Sequence, residues 1–148
     1  IRIKGDNVFL EYWDNEKATK ESFVDGWFCT GDVAVIENGY YRIMGRSSID
    51  IIKSGGYKLS ALEIEGVLLT HDKIKECAVI GVEDETWGEA VCVFAATNDG
   101  ETLEYNELKS WCDNKMSSYK IPKHLKIIDA LPRNAMGKVT KPDLKKLF

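Results

Sequence analysis

Apolar residues fall along this chain in two textures, and the change comes near Arg46. Before it, apolar positions occur in short pieces among Gly, Asp, Asn and aromatic residues. Val33–Ile36 and Tyr40–Met44 flank Glu37-Asn38-Gly39, and Asn-Gly between two such runs predicts a β-hairpin, because both turn positions tolerate φ > 0. From about Asp50 onward, strand-like runs alternate with helical spacing. Ile49–Lys53 reads as a short strand ended by Ser54-Gly55-Gly56. Ser60-Ala61-Leu62-Glu63 has the form of a capping box, and behind it Leu62, Val67, Leu68 and Leu69 supply an apolar stripe ending near His71. Residues 76–83 and 89–97 read as buried strands. Thr102 is placed to cap a helix through about Met116, with Leu108, Trp111 and Cys112 on one face. Leu125–Ile128 is a last strand. Thr140, Pro142 and Asp143 open a short terminal helix, with Pro in its first turn and Asp at its positive end. The expected fold class is α+β, a domain of about 100 residues preceded by a β-rich piece.

Composition narrows the function classes. With 148 residues and a net charge of −4, the chain has no global basic field to recruit nucleic acid. No apolar run approaches the ~20 residues that span a bilayer. Ile1-Arg2-Ile3-Lys4-Gly5 reads like the middle of a strand, without signal-peptide organisation, so the expectation is a piece of a longer polypeptide whose targeting segment lies elsewhere. The four cysteines form no C-x-x-C pair, and with only two histidines a zinc site of short ligand spacing is rejected. Cys77 and Cys92 sit inside apolar runs, where a thiol acts as a small hydrophobe. Reduced cysteines suit the cytosol or the mitochondrial matrix.

Three segments stand out because local folding does not require them. Thr30-Gly31-Asp32 makes a tight turn presenting one carboxylate, a planar double acceptor suited to a ribose diol; read alone, it is a turn with a solvated Asp. Gly45-Arg46-Ser47-Ser48, followed by Lys53-Ser54-Gly55-Gly56-Tyr57-Lys58, lies at the change of texture. Arg46 offers a rigid fork of donors, and the double Gly permits close backbone approach; read alone, this is an interdomain linker and a strand-to-helix turn. Leu131-Pro132-Arg133-Asn134-Ala135-Met136-Gly137-Lys138 ends in a lysine after a Pro- and Gly-containing loop, the mobile point charge that phosphoryl or adenylyl transfer requires. Read alone, Lys138 is a solvated surface lysine.

In this order, and with Trp87-Gly88-Glu89 before a strand, the segments make the chain resemble the acyl-adenylate-forming enzymes over nearly its whole length. These are the acyl-CoA synthetases, luciferases and peptide-synthetase adenylation domains. Asp50–Glu63 and Pro132–Lys138 bring it nearest to the malonyl-CoA synthetase group. The resemblance implies that residues 1–46 are the end of a large N-terminal domain and residues 47–148 a C-terminal lid domain with a short sheet and flanking helices. It implies that Asp32 and Arg46 bind the ATP ribose, that Lys138 bridges nucleotide and acyl carboxylate during adenylation, and that Gly55, Gly56 and Tyr57 line the CoA channel. The pivot falls at Ser48 or Ser47, in a linker that looks one residue longer than in many members.

The implied substrates are a small carboxylic acid such as malonate or methylmalonate, ATP with Mg2+ bound mainly by the N-terminal domain, and CoA. The implied partner is the chain's own N-terminal domain, without which the fragment is inactive. Delivery to a carrier protein, or a non-catalytic interaction module of the same fold, are the readings left open.

Overall fold

The computed structural model describes residues 1–148. The first part holds three short strands, β1 (Arg2–Ile3), β2 (Phe23–Val24) and β3 (Trp27–Cys29), paired antiparallel with β3 in the middle. A helix the pattern did not suggest, α1 (Glu16–Ser22), precedes β2. Asn15 caps it by accepting from the Ala18 N–H at 3.0 Å, with Glu16 in its first turn and Lys20 in its last, the arrangement a helix dipole favours. Phe9 packs its ring against Tyr12, Phe23 and Phe28.

The hairpin follows as β4 (Asp32–Glu37) and β5 (Tyr40–Arg46), in register Glu37↔Tyr40 through Asp32↔Arg46 with a bulge at Val33/Ala34. Asn38 and Gly39 take φ of 52° and 82°, the two positive values a tight primed turn needs.

The rest is built on β8 (Ile74–Asp84) and β9 (Gly88–Thr97), an antiparallel pair that with β6 (Ile51–Ser54), β7 (Tyr57–Ser60) and β10 (His124–Ile127) makes a five-stranded sheet. β10 runs parallel to β9 beside Cys92–Ala95, and β6 meets the same strand at Gly88. Both faces of β8 and β9 are covered, so their sequences are apolar without alternation. Val79, Val91, Val93 and Ala95 face a cluster with Ile64 and Leu68 of α2 (Ala61–Leu68) and Leu108 and Cys112 of α3 (Tyr105–Cys112). Ala78, Ile80, Val82, Ala90, Cys92 and Phe94 face a second cluster, closed by Leu131 and by Leu144 of α4 (Lys141–Lys146). Every residue of both clusters lies between Ile52 and Leu144.

Four local expectations are corrected. Gly55-Gly56 is a hairpin turn between β6 and β7 rather than a strand-to-helix turn, so the capped helix begins one strand later. In α2 the buried stripe is Ala61, Ile64 and Leu68, while Leu62 and Leu69 are exposed, because a helix starting at Ala61 puts those two on its outer face. Ser60 caps the Glu63 N–H at 3.1 Å, but Glu63 turns away to Lys120 instead of completing the box. Thr102 caps nothing: Leu103 is drawn extended into the core, Glu104 takes the N-cap place, and the helix ends at Cys112.

The thiols follow burial. Desolvation pushes Cys77 up to about 12, and Cys92 and Cys112 up to about 11. A maleimide or disulfide reagent at neutral pH is expected to label partly exposed Cys29 fastest in the native protein, half-buried Cys77 more slowly because its thiol is pushed up, and buried Cys92 and Cys112 only on denaturation. Rapid native labelling of Cys92 or Cys112 would contradict this packing.

Candidate active site

Lys138 is exposed, at the end of a turn whose backbone is braced on every side. The Asn134 side-chain oxygen accepts from the Met136 and Lys138 N–H groups, both at 3.0 Å. The Asn134 N–H donates to the Lys138 carbonyl at 2.9 Å, and Gly137 closes the turn at φ 78°. Arg133 opposes Val139 in a β-bridge, and its guanidinium donates to the Gly137 carbonyl at 2.9 Å while its other arm pairs with Glu76 of β8.

Glu76 also accepts from the Leu131 N–H at 3.1 Å. That backbone hydrogen bond first, and the Arg133 guanidinium second, hold its carboxyl below the usual carboxylate range. A lowered folded value means this brace is fully present above the ordinary range and is lost as pH falls through the lowered value. Lys138 itself makes no ion pair, unlike its neighbours Arg133 and Lys141. The fold therefore supplies an uncompensated ammonium on a rigid base.

Asp32 and Arg46 are brought together as cross-strand partners at the open end of the β4–β5 hairpin, with Nε and Oδ1 3.6 Å apart. Thr30 Oγ1 accepts from the Asp32 N–H at 3.1 Å, and Gly31 turns the chain at φ 80°. Both side chains keep solvent-facing donors and acceptors. Ser47 and Ser48 follow at once, in a turn where the Arg46 carbonyl accepts from Ile49 and Asp50 at 3.2 and 2.8 Å. The Ser47 N–H reaches back to Gly31 at 2.9 Å.

Gly55 and Gly56 form the β6–β7 turn at φ 56° and 83°. Trp87-Gly88-Glu89, far off in sequence, buttresses it. The Trp87 carbonyl accepts from Gly55 at 2.9 Å, and Glu89 accepts from the Lys53 N–H at 2.6 Å. The Trp87 indole covers Gly55 and carries the Lys123 ammonium 3.7 Å from its ring. Tyr57 stacks on Tyr119 with centroids 4.5 Å apart and planes 6° from parallel.

No hydrogen bond or ion pair joins Lys138 to the Asp32–Arg46 pair or to the Gly55–Gly56 turn. Sequence reasoning passed over Glu76, Arg133 and Asn134 as functional groups. Asn134 was legible in principle, since an Asn two residues before Met136 signals a side-chain turn. The Arg133–Glu76 pair was not, being 57 residues apart along the chain.

The notable groups of this α+β domain stand apart: Lys138 on its turn, Asp32 and Arg46 at the open end of the hairpin, and Gly55–Gly56 between β6 and β7. The chain belongs to the AMP-binding enzyme C-terminal domain family, whose profile matches residues 63–138. It is 50% identical to the mitochondrial malonate–CoA ligase of Bos taurus over 97% of its own length and 25% of that protein. It thus spans about a quarter of the curated relatives it matches.

ATP-bound MatB from Rhodopseudomonas palustris superposes with a TM-score of 0.87 at 36% identity, over 99% of this chain and 29% of that one. The apo structure of the same protein, at the same identity and coverage, gives 0.69. This chain thus superposes more closely on the ATP-bound MatB structure than on the apo one.

Proposed function

We propose that this chain is the C-terminal portion of an ATP-dependent acyl-CoA synthetase acting on malonate or methylmalonate, with Lys138 as its adenylation lysine. The observation that carries the reading is the exposed, unpaired Lys138 ammonium on its braced turn, within a domain of this family. The bovine relative's name supports the substrate class and a mitochondrial location. In this reading residues 1–46 end a large N-terminal domain and residues 47–148 form the lid, consistent with two apolar clusters confined to residues 52–144.

In the first half-reaction a carboxylate oxygen bonds to the α-phosphorus of ATP, and the bond to the pyrophosphate oxygen breaks. Two anions meet, so the step is slow unless charge is screened in a dry site. Lys138 supplies that screening, and the half-buried Asp32 beside the exposed Arg46 suits the ribose hydroxyls. In the second, the CoA sulfur bonds to the acyl carbon, AMP leaves and the thiol proton is released. The lid then has to present the Gly55–Gly56–Tyr57 face instead of Lys138, with Ser48 or Ser47 as pivot. As the family resemblance implies, the reading assigns Mg2+ to the ATP and mainly to the N-terminal domain.

The test is pyrophosphate exchange and thioester formation by the full-length protein with malonate, methylmalonate and acetate. Malonate-dependent exchange together with CoA-dependent AMP release is expected. Exchange that proceeds without any CoA product would instead favour delivery to a carrier protein.

The brace makes a second prediction. Arg133→Met frees the Gly137 carbonyl and leaves Glu76 with the Leu131 N–H alone. The ion pair is partly exposed, so its loss is expected to cost about 1 kcal/mol or less. Adenylation is expected to fall at least tenfold, because displacing a catalytic group by about an ångström costs on the order of a hundredfold. Urea unfolding beside pyrophosphate exchange separates the two, and an unchanged exchange rate would remove Arg133 from the positioning of Lys138.

A further inference from the structure

Lys141 is the one charged residue the fold buries, at 8% exposure. Its ammonium lies 2.7 Å from Asp50 Oδ1 and 2.8 Å from Glu65 Oε1. Each carboxylate has a further task. Asp50 Oδ2 accepts from the Arg46 N–H at 3.0 Å, closing the turn that contains Ser47 and Ser48. Glu65 Oε1 accepts from the Val79 N–H at 2.7 Å, tying α2 to β8. Gly45 is shaped to this closure: at φ 120°, a Cβ there would come within 2.5 Å of Asp50 Cβ.

Toward the other end, Lys141 follows Lys138 by three residues. The intervening chain is held by the Val139–Arg133 bridge and by the Thr140 N–H on the Pro132 carbonyl at 2.9 Å. One buried ammonium thus stands between the turn at Arg46–Asp50 and the loop that carries Lys138.

A buried ion network is a poor source of net stability, since an apolar side chain of similar volume serves as well or better. What it supplies is a fixed relation between the elements it joins. We infer that Lys141 is a positioning residue that registers the Lys138 loop to the Arg46–Asp50 turn through Asp50, so that pivot and adenylation lysine move as one body. The inference rests on the roles proposed above for Lys138 and for Ser47 or Ser48. Rotation at the pivot then sets the position of Lys138 without slack, although 91 residues separate Asp50 from Lys141.

Lys141→Met is the obvious variant, but it strands two carboxylates against each other and can prevent folding. Asp50→Asn is the sharper one. It leaves Lys141 neutralised by Glu65 and cannot satisfy both the Lys141 ammonium and the Arg46 N–H as acceptor through two oxygens. The experiment is hydrogen exchange on the full-length protein, with the half-reactions measured in parallel. In Asp50→Asn, exchange is expected to rise severalfold or more in both the 46–50 turn and the 133–139 loop, while β8 and β9 keep their protection. Pyrophosphate exchange is expected to lose about tenfold in kcat with the KM for ATP nearly unchanged, in line with a misplaced catalytic group. Thioester formation from preformed acyl-adenylate should fall much less.

Lys141→Arg, which keeps the charge between the two carboxylates, is expected to retain most of the coupling. Faster exchange in the turn alone, or a rise spread evenly over the domain, would overturn the inference. A wild-type protein without ligase activity would overturn the proposed function, and the hydrogen-exchange pattern would still decide whether the two segments are coupled.

Discussion

Lys138→Ala in the full-length protein is expected to reduce adenylate formation by two to three orders of magnitude and to leave thioester formation from preformed acyl-adenylate within about twofold. The size follows from what a single preorganised charge contributes at a site where negative charge builds, about 3–4 kcal/mol. The asymmetry follows from placement. Lys138 is one exposed group on a loop with no tie to the Gly55–Gly56 turn, so it can serve one half-reaction and be absent from the other. Stability should hardly change, because the side chain is exposed and unpaired and such substitutions stay within about 0.5 kcal/mol. Pyrophosphate exchange, a single-turnover thioesterification and thermal melting make the comparison. Equal loss in both half-reactions would sink the assignment, as would a full-size loss of stability.

Gly56→Leu is expected to abolish the CoA step and spare pyrophosphate exchange. Two explanations compete for this glycine, a steric channel and a backbone that demands φ > 0, and the structure separates their costs. Gly56 sits at φ 83°, so any L side chain pays about 1–2 kcal/mol for the left-handed conformation. A Cβ there meets no atom within 4 Å, so no further cost is added inside this domain. Gly56→Ala and Gly56→Leu should therefore lose nearly the same stability, and only Leu should block the pantetheine path. Gly55 provides the contrast. A Cβ on it would come within 2.7 Å of the Trp87 ring, so Gly55→Ala has to displace a buttress and is expected to destabilise more than either. If Leu unfolds the protein where Ala does not, or slows both half-reactions alike, Gly56 is a structural glycine and the second catalytic face lies elsewhere.

What the sequence by itself determined is what depends on neighbours along the chain. The Asn38-Gly39 hairpin, the two long buried strands and the Pro142-opened terminal helix all follow from local periodicity and turn chemistry. The order of the Asp32, Arg46 and Lys138 segments, together with Trp87-Gly88-Glu89, pointed to the family. Local signals also misplaced what tertiary contacts settle. The pattern 62, 67, 68, 69 looked apolar, but the sheet takes Ala61, Ile64 and Leu68, because it is the docking of the helix that selects its face. Thr102 had the right chemistry for a cap and lost the place to the burial of Leu103.

Only the tertiary structure decided how the site is held. Arg133 finds Glu76, Trp87 finds Gly55, and Lys141 finds Asp50 and Glu65, each across more than 30 residues. A charged side chain advertises its charge in the sequence but not its partner, since the partner is fixed by which strands pair and which helix covers them. Lys138 was singled out by the order of segments along the chain, which needs no partner; the burial of Lys141 between Asp50 and Glu65 became visible only when the fold had removed water from around it.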